Sequence, residues 1–260
     1  MRGRRRRRSP LRQFWVVAVA ALVLAGAVGY LVVAWPGFRP RHVRVIGNRI
    51  VPTAEILARA GVDPHRNVWL QNTGAMARRI ESIPYVLTAR VHRRPPATVI
   101  IDVTERKPFA NLRALRDVAL VDASLRVLQL GEGSSLPTLA YAGEIALVPG
   151  RTVDAESIRT LREILLALRA HDVDATEVSL TAGEVTAILP GGVRVLLGDE
   201  IAAPSATALV EPILTRFALL GRPVRVLDLR SPTTPVVTES DAPRPPRVRR
   251  ERSAALRPRR

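Results

Sequence analysis

The chain of 260 residues contains no cysteine, a single lysine and few aromatic residues. Without cysteine it can form no disulfide framework, no thiolate nucleophile and no cysteine-ligated zinc site. It also lacks a glycine-rich phosphate loop and a nucleophile elbow. The histidines fall at no spacing typical of a metal site, and they are His42, His65, His92 and His171. We therefore predict a protein without enzymatic activity, cofactor or small-molecule substrate.

Acidic residues are scarce at both ends of the chain, and the net charge of +17 is concentrated there. Residues 1–13 carry seven arginines and no acid, and residues 241–260 carry eight arginines against Asp241 and Glu251. The stretch 14–240 has a net charge of only +4. Because a nucleic-acid-binding domain carries its positive charge on the folded part, this distribution disfavours a nucleic-acid partner.

One long apolar run lies near the N-terminus. Residues 14–35 contain no charge and would form a helix of about 33 Å, which matches the hydrocarbon core of a bilayer. Tryptophans near both ends favour the headgroup region, and the preceding arginines hold the N-terminus in the cytoplasm. The sequence predicts a single-pass, type II inner-membrane anchor with its C-terminal domains outside the cytoplasm. Residues assigned to this topology are Arg4, Arg5, Arg6, Arg7, Arg8, Trp15 and Trp35.

A cleaved signal peptide is the alternative for the same segment. The arginine run 4–8 resembles an n-region, and Ala25-Gly26-Ala27 resembles a small-residue cleavage site. Apolar residues continue beyond that site to Val33, which favours an uncleaved anchor. The same arginines attract anionic headgroups, so membrane lipid is a predicted partner of the anchor and the basic N-terminus.

Hydrophobic periodicity after the span predicts the order β-α-α-β-β. A strand over 42–46 precedes a helix capped by Thr53, and a second helix ends before Pro84. Two strands follow, and Trp69 is expected in the core between its apolar neighbours. The residues expected on the buried strand faces are Tyr85, Leu87, Ala89 and Val91 in the first strand and Val99, Ile101 and Val103 in the second.

Short strands and two helices are predicted after Pro108. Asp154 is a candidate cap for the first helix, and one continuous helix is expected from Pro204 to Leu220. Paired turn residues predict antiparallel hairpins over 177–197. Apolar stripes are expected at Ile158, Leu161, Leu165 and Leu168 in the first helix and at Leu209, Ile213, Phe217 and Leu220 in the second.

Several segments carry a family resemblance. The longest are VRVIGNRIV at 43–51, RRIESIPYVLTARVHRRPPATVIIDVTERKPFA at 78–110, VALVDASLRVL at 118–128 and VLDLR at 226–230. In order and spacing, behind a single anchor, they resemble the bacterial cell-division family FtsQ, called DivIB in some lineages. The resemblance extends from the basic N-terminus to about Thr238.

The resemblance implies an α+β fold class. A single-pass membrane anchor would precede a β-α-α-β-β POTRA domain, the polypeptide-transport-associated module, at 40–107. A mixed, mainly antiparallel β domain with two helices would follow at 108–238. The remaining segments are a basic cytoplasmic tail at 1–13, the transmembrane helix at 14–35 and an Arg/Pro-rich tail at 239–260, whose composition predicts disorder.

The resemblance also implies a function. Members of this family are non-enzymatic scaffolds of the septal division complex that bring the small coiled-coil proteins FtsB and FtsL to the cell-wall synthesis machinery. We expect the same role and partners here, at the division septum. The alternative is a POTRA protein of translocation or envelope assembly, which normally carries tandem POTRA copies or a membrane barrel.

Strand addition to an exposed sheet edge would suit such a scaffold. Pro235 cannot donate to a ladder, so residues 235–238 are predicted to form an edge strand. In the family this C-terminal edge receives FtsB, and the resemblance assigns partner contact to Asp228, Arg230, Val236 and Val237. The alternative for the residues beside them is a place in the core, and these are Val224, Val226 and Leu229.

Two further charged positions are candidates for contacts. Glu105 and Arg106 end the POTRA-like region and are candidate partner residues, with solvation or a bridge between domains as the structural alternative. Arg93 and Arg94 are candidates for anionic lipid, with a solvated strand end as the alternative.

Overall fold

The structure is a computed structural model that describes residues 10–133 and 135–240. The chain divides into two compact units. The first comprises Met1–Pro108 with two short returns, Arg126–Gln129 and Val148–Arg151, and the second comprises Phe109–Leu125, Leu130–Leu147 and Thr152–Arg260. The prediction for the arginines at 4–8 lies outside the described residues, as does all of the tail predicted at 239–260 except Glu239, which is in a strand, and Ser240.

The apolar run forms the helix α1 (Pro10–Ala34). Its segment Phe14–Leu31 is long and apolar enough to cross a membrane, by length and composition, although a signal sequence near an N-terminus would have the same properties. Every side chain of that segment is exposed, as lipid contact would require. Trp15 and Trp35 are each 62% exposed, so both indole rings are free to lie in a headgroup region.

The rest of the first unit is a small sheet with two helices. Its elements are β1 (His42–Ile46), α2 (Thr53–Ala60), α3 (Thr73–Glu81), β2 (Val86–Arg94) and β3 (Thr98–Glu105). The strand order is β1-β3-β2, with β1 parallel and β2 antiparallel to β3. This β-α-α-β-β succession is the one that the hydrophobic periodicity predicts.

One face of the small sheet is buried with the apolar sides of α2 and α3 in a single cluster. Val99, Ile101 and Val103 are buried there, as predicted. The prediction for Leu87 was wrong, because a register shift between Val86 and Thr88 turns Val86 into the core. Leu87 is therefore 47% exposed.

Two local predictions in this unit were also wrong. Thr53 is the first residue of α2 and Pro52 occupies the cap position, without a side-chain hydrogen bond. Trp69 lies in a 3-10 turn whose buried residue is Val68, and Trp69 itself is 43% exposed. The guanidinium carbon of Arg93 lies 6.0 Å from the centroid of the Trp69 ring, so the indole has a cation-π contact instead of a place in the core.

The two returns of the first unit pair with each other. The amide of Val127 donates to the carbonyl of Arg151 and that of Gly150 donates to Val127, both at 2.8 Å. The hydroxyl of Tyr85 donates to Oε1 of Gln129 at 2.8 Å. These contacts hold the returns within the first unit.

The strands that follow are β4 (Pro108–Ala114), β5 (Asp117–Asp122), β6 (Val127–Leu130), β7 (Thr138–Tyr141), β8 (Glu177–Thr181), β9 (Glu184–Ile188), β10 (Arg194–Asp199), β11 (Val224–Asp228) and β12 (Val236–Glu239). Most of β6 lies in the first unit. In the second unit the strands run in the order β12-β11-β10-β9-β8-β7-β4-β5. The sheet is mixed: β4, β7 and β8 are parallel neighbours, as are β10 and β11, whereas β8, β9 and β10 form the predicted antiparallel hairpins.

Three helices accompany this sheet: α4 (Glu156–Ala170), α5 (Ala203–Ala206) and α6 (Val210–Leu219). The predicted stripe of α4 is fully buried, and the helix packs against β7 and β8. The predicted cap was wrong, because Ala155 holds the cap position without a side-chain bond. The Asp154 carboxylate instead pairs with Arg159 at 2.9 Å.

The last predicted helix is divided into α5 and α6 by a 3-10 turn at Thr207–Leu209. Pro212 falls in the first turn of α6, where backbone amides have no acceptor within the helix. The proline therefore costs no helical hydrogen bond. Leu220 lies beyond the helix and is 60% exposed, so the predicted apolar stripe ends before it.

Alternation gives the larger sheet two unlike faces. Leu227, Val195 and Ala187 lie in register across β11, β10 and β9, and all three are buried. Their sequence neighbours Val226 and Leu196 point to the opposite face and are half-buried. The sheet thus has a core face, which carries Leu227 and Val195, and a partly solvent-exposed face, called here the wetter face, which carries Val226 and Leu196. Both faces continue onto β12.

Candidate interaction site at the last strand

The strand β12 stands at the end of the strand order of the larger sheet. It pairs antiparallel with β11 on one side, and no other strand among the described residues lies on its second side. Pro235 immediately precedes it, as expected for proline at the start of an edge strand. The last strand is therefore an edge strand, as predicted.

The backbone of β12 presents alternate groups to its two sides. The amide of Ser240 donates to the carbonyl of Pro223 at 2.8 Å, which turns it toward the β11 side. Because successive residues of a strand alternate, the backbone groups of Thr238 also face β11. Those of Val237 and Glu239 face the open side, where they can pair with an added strand.

The side chains of the two predicted valines point to different faces. Val237 lies opposite Leu227, and Val236 lies opposite Asp228. Leu227 is fully buried, so Val237 extends the core face, while Val236 is 60% exposed on the wetter face. An added strand would meet an apolar side chain on each face of the edge.

Asp228 and Arg230 form a compact ion pair beside this edge. Nε–H of Arg230 donates to the carboxylate at 3.0 and 3.1 Å, Nη2 donates at 2.7 Å, and the backbone amide of Arg230 donates at 3.1 Å. These hydrogen bonds lower the pKa of Asp228, against a smaller opposing effect of burial. Nη1 of Arg230 also lies 3.7 Å from Oε1 of Glu184. The Arg230 side chain nevertheless remains 51% exposed, so a partner can reach the guanidinium group.

The hairpin that carries these residues is fastened at both ends. A turn joins the strands where the amide of Thr234 donates to the carbonyl of Ser231 at 3.0 Å, with Pro232 in the favoured second position. At the other end Arg222 pairs with Glu239. The Arg222 pair was not predicted, because opposition across a hairpin depends on a register that the sequence does not specify.

The alternative reading of the neighbouring apolar residues holds only in part. Leu229 is fully buried, and its amide donates to the carbonyl of Leu196 at 2.8 Å. Val224 and Val226 are both half-buried, and Val226 lies on the wetter face, opposite Thr238. Leu229 therefore belongs to the core, whereas Val224 and Val226 remain partly accessible to solvent.

Glu105 and Arg106 belong to the first unit and are bound within it. The Glu105 carboxylate accepts from the amides of Ile50, at 3.0 and 2.9 Å, and Val51, at 2.8 Å. Burial raises the pKa of Glu105, but these bonds, with the amide and charge of Arg49, outweigh it and lower the pKa overall. Nε–H of Arg106 donates to the Val86 carbonyl at 3.1 Å.

Known proteins resemble this chain over most of its length. The family described as POTRA domain, FtsQ-type, matches residues 38–106. The protein named Cell division protein FtsQ of Syntrophotalea carbinolica is 29% identical over 208 residues, which cover 75% of this chain and 73% of that protein. The protein of the same name from Mycolicibacterium smegmatis is 30% identical over 232 residues, covering 88% and 67% of the two chains. This chain, with its apolar helix, POTRA unit and larger mixed sheet, belongs to the FtsQ family.

Proposed function

We propose that this chain is a membrane-anchored, non-enzymatic scaffold of bacterial cell division that captures small coiled-coil partners of the FtsB and FtsL type. The names of its relatives, all cell division proteins, support the division role over translocation or envelope assembly. The partner class comes from the family resemblance.

The open side of β12 is the observation that carries the proposal. Outward backbone groups of Val237 and Glu239 offer a template for one further strand, and Val236 offers exposed apolar contact. Strand addition draws affinity from main-chain hydrogen bonds and selectivity from alternating side chains. Arg230 would meet polar groups of the partner at the end of the added strand.

The carboxylate of Glu105 plays no part in this proposed interface. Its hydrogen bonds to the amides of Ile50 and Val51 favour the structural alternative for this residue. The same holds for Arg106, whose side chain donates to the Val86 carbonyl. We therefore assign partner contact to Asp228, Arg230, Val236 and Val237.

The proposal includes the arrangement of the chain at the membrane. A basic tail at 1–13 would lie in the cytoplasm and the span at 14–35 would cross the inner membrane. The POTRA domain at 40–107 and the β domain at 108–238 would lie outside the cytoplasm at the division septum. The Arg/Pro-rich tail predicted at 239–260 would begin after Ser240, because Glu239 belongs to β12 and the amide of Ser240 donates to the carbonyl of Pro223.

A matched pair of truncations tests the edge. The chain that ends at Arg230 lacks β12, whereas the chain that ends at Ser240 retains it and lacks only the tail. We expect the first to lose capture of an FtsB-type protein and the second to keep it, measured by pull-down of the tagged, detergent-solubilised protein. Undiminished capture by the shorter chain would refute the edge assignment, provided that hydrogen exchange shows β10 still protected.

The full chain in its cells provides the broader test. Mass spectrometry of proteins that co-elute with it should identify two small single-pass coiled-coil proteins. Recovery of an outer-membrane assembly factor without any division protein would instead contradict the division scaffold.

A further inference from the structure

We propose that the exposed face of the small sheet binds anionic phospholipid headgroups, so that the POTRA unit lies against the membrane that holds its own anchor. The surface is distinct from the edge strand β12. It consists of side chains of β1, β2 and β3 that point away from α2 and α3. We name it the basic face.

Strand register arranges the basic face in rows. In the row nearest the anchor in sequence, Arg94 and His42 lie on either side of Thr98. In the next row Arg44 and His92 lie across β3 from each other. Arg44, Arg94 and both histidines are exposed, so the face presents positive groups from both outer strands of the sheet.

Almost no acid balances this charge. In the third row Arg90 lies beside Asp102, the only acid of the three rows, and the Asp102 carboxylate lies 3.6 Å from Nε2 of His92. Arg44, Arg90 and Arg94 make no side-chain hydrogen bond or ion pair with any described residue. Their guanidinium groups therefore remain free for phosphate oxygens, which arginine binds through its planar fork.

A shallow depression of about 600 Å³ opens on this face at its anchor end. Arg41, Arg44 and Arg94 line it together with Ile100. A concavity lined by three arginines, with Ile100 among its apolar residues, suits a phosphodiester headgroup and its glycerol carbons. Arg93, the other arginine that the sequence pattern favours for lipid, points to the helical side, where its guanidinium group lies over Trp69.

The anchor brings the depression close to lipid. Six residues lie between Ala34, the last residue of α1, and Arg41, and the seven Cα steps that join them span at most about 25 Å when fully extended. The first row is thus confined near the bilayer surface in every arrangement of the linker. Such confinement makes the lipid contact intramolecular, which raises its effective concentration.

The full chain in lipid nanodiscs tests the proposal. The chain has no cysteine, so Thr88→Cys introduces a unique labelling position. Thr88 lies beside Thr104 in a fourth row of the basic face, beyond the row of Arg90 and Asp102. Energy transfer from a donor there to acceptor-labelled headgroups reports whether the face lies on the bilayer. We expect high transfer in discs with 30% phosphatidylglycerol and low transfer in pure phosphatidylcholine; equal transfer in both would overturn the proposal.

Charge variants identify the residues that carry the contact. The triple variant Arg44→Gln, Arg90→Gln, Arg94→Gln should lower the equilibrium constant for binding of the basic face to the bilayer roughly 100-fold. Each arginine near an anionic surface contributes about fivefold to that constant. The matched control Arg59→Gln, Arg66→Gln, Arg78→Gln removes equal charge from the helical side and should retain the transfer. An equal loss in both variants would contradict a specific face.

Two further measurements keep the result interpretable. The variant Arg44→Lys, Arg90→Lys, Arg94→Lys preserves the charge and should retain most of the lipid dependence, whereas loss with lysine as large as with glutamine would overturn the electrostatic contact. Salt at 0.5 M, where the screening length is about 4 Å, should abolish the transfer. Competition by inorganic phosphate beyond that of chloride at equal ionic strength would indicate a small-anion site and overturn the lipid assignment.

Discussion

In two places an acidic residue and an arginine follow each other closely at the end of a strand, and the two acids have different hydrogen-bond partners. The carboxylate of Glu105, at the end of β3, accepts hydrogen bonds from the backbone amides of Ile50 and Val51. Asp228 at the end of β11 is used by the side chain of Arg230, which stays half exposed beside an open strand. The local sequence is similar at both places. The Glu105 carboxylate accepts from amides of a distant segment, Ile50 and Val51, whereas the Asp228 carboxylate accepts from the amide and the side chain of Arg230, two positions away. The structural carboxylate therefore joins remote parts of the fold, and the one at the candidate interface is held locally.

The substitution Glu105→Ala should produce the largest effect on folding. It leaves the amides of Ile50 and Val51 without their charged acceptor, at a cost of about 2 kcal/mol, so exchange of these amides should become roughly 30-fold faster. Hydrogen-exchange mass spectrometry on the full chain measures this. The exposed Glu144 provides the control Glu144→Ala. Loss of partner capture in Glu105→Ala, with exchange unchanged, would reverse the roles assigned to the two pairs.

A pH series sharpens the same contrast. The folded pKa of Glu105 lies below its ordinary value, so its stabilising contribution is complete above the unfolded value of about 4.3. That contribution is lost as pH falls from there through the lowered folded pKa. Protection of the Ile50 and Val51 amides should decline in this acidic range after correction for intrinsic exchange. Glu105→Gln should remove the dependence, and an unchanged acid profile in that variant would exclude this carboxylate as its source.

At the edge strand, proline substitutions should separate binding from folding. Val237→Pro removes an outward amide and should weaken partner capture about fivefold, the value of one backbone hydrogen bond, while β12 stays paired. Thr238→Pro removes an inward amide and should release β12 from β11. Titration of an FtsB-type partner and hydrogen exchange of β11 measure the two effects. Equal loss of pairing in both variants would refute the alternation inferred for this strand.

The smallest effect is expected for Arg230→Gln. Exposed ion pairs contribute little to folding, so exchange in β12 should not change. Association with the partner at low salt should slow about twofold, as is typical for a charge at the rim of an interface. Stopped-flow kinetics measure it, with Arg225→Gln, at an exposed arginine of β11, as the control. A large increase in the dissociation rate would place Arg230 at the centre of the contact instead.

Periodicity predicts most of the elements of this fold, because each predicted strand or helix has one buried side. The strand β4 has no such signature: its residues from Phe109 to Leu112 are all buried, because it lies inside the sheet between β7 and β5. Continuous burial removes alternation. The bulge that exposes Leu87 likewise depends on pairing with β3, which local sequence does not encode.

The candidate site shows the same limit. Pro235 predicts an edge strand by its missing amide, a local property of one residue. The hydrogen bond from the amide of Ile50 to the carboxylate of Glu105 joins residues 55 positions apart, so no local pattern indicates it. Asp228 and Arg230 are only two positions apart, yet their side chains meet only because the chain bends at the end of β11. The sequence predicts properties that belong to one residue, such as the missing amide of proline, whereas the partners of charged groups depend on the fold.

The two returns at 126–129 and 148–151 bear on how the POTRA unit of this chain could be exchanged for that of another protein. A POTRA unit taken from one relative and joined to another at Pro108 would leave behind Gln129, the acceptor of the Tyr85 hydroxyl. It would also leave behind the paired segments around Val127 and Gly150. The first unit of this chain thus consists of three separate stretches, and a chimera that keeps these contacts has to exchange all three together.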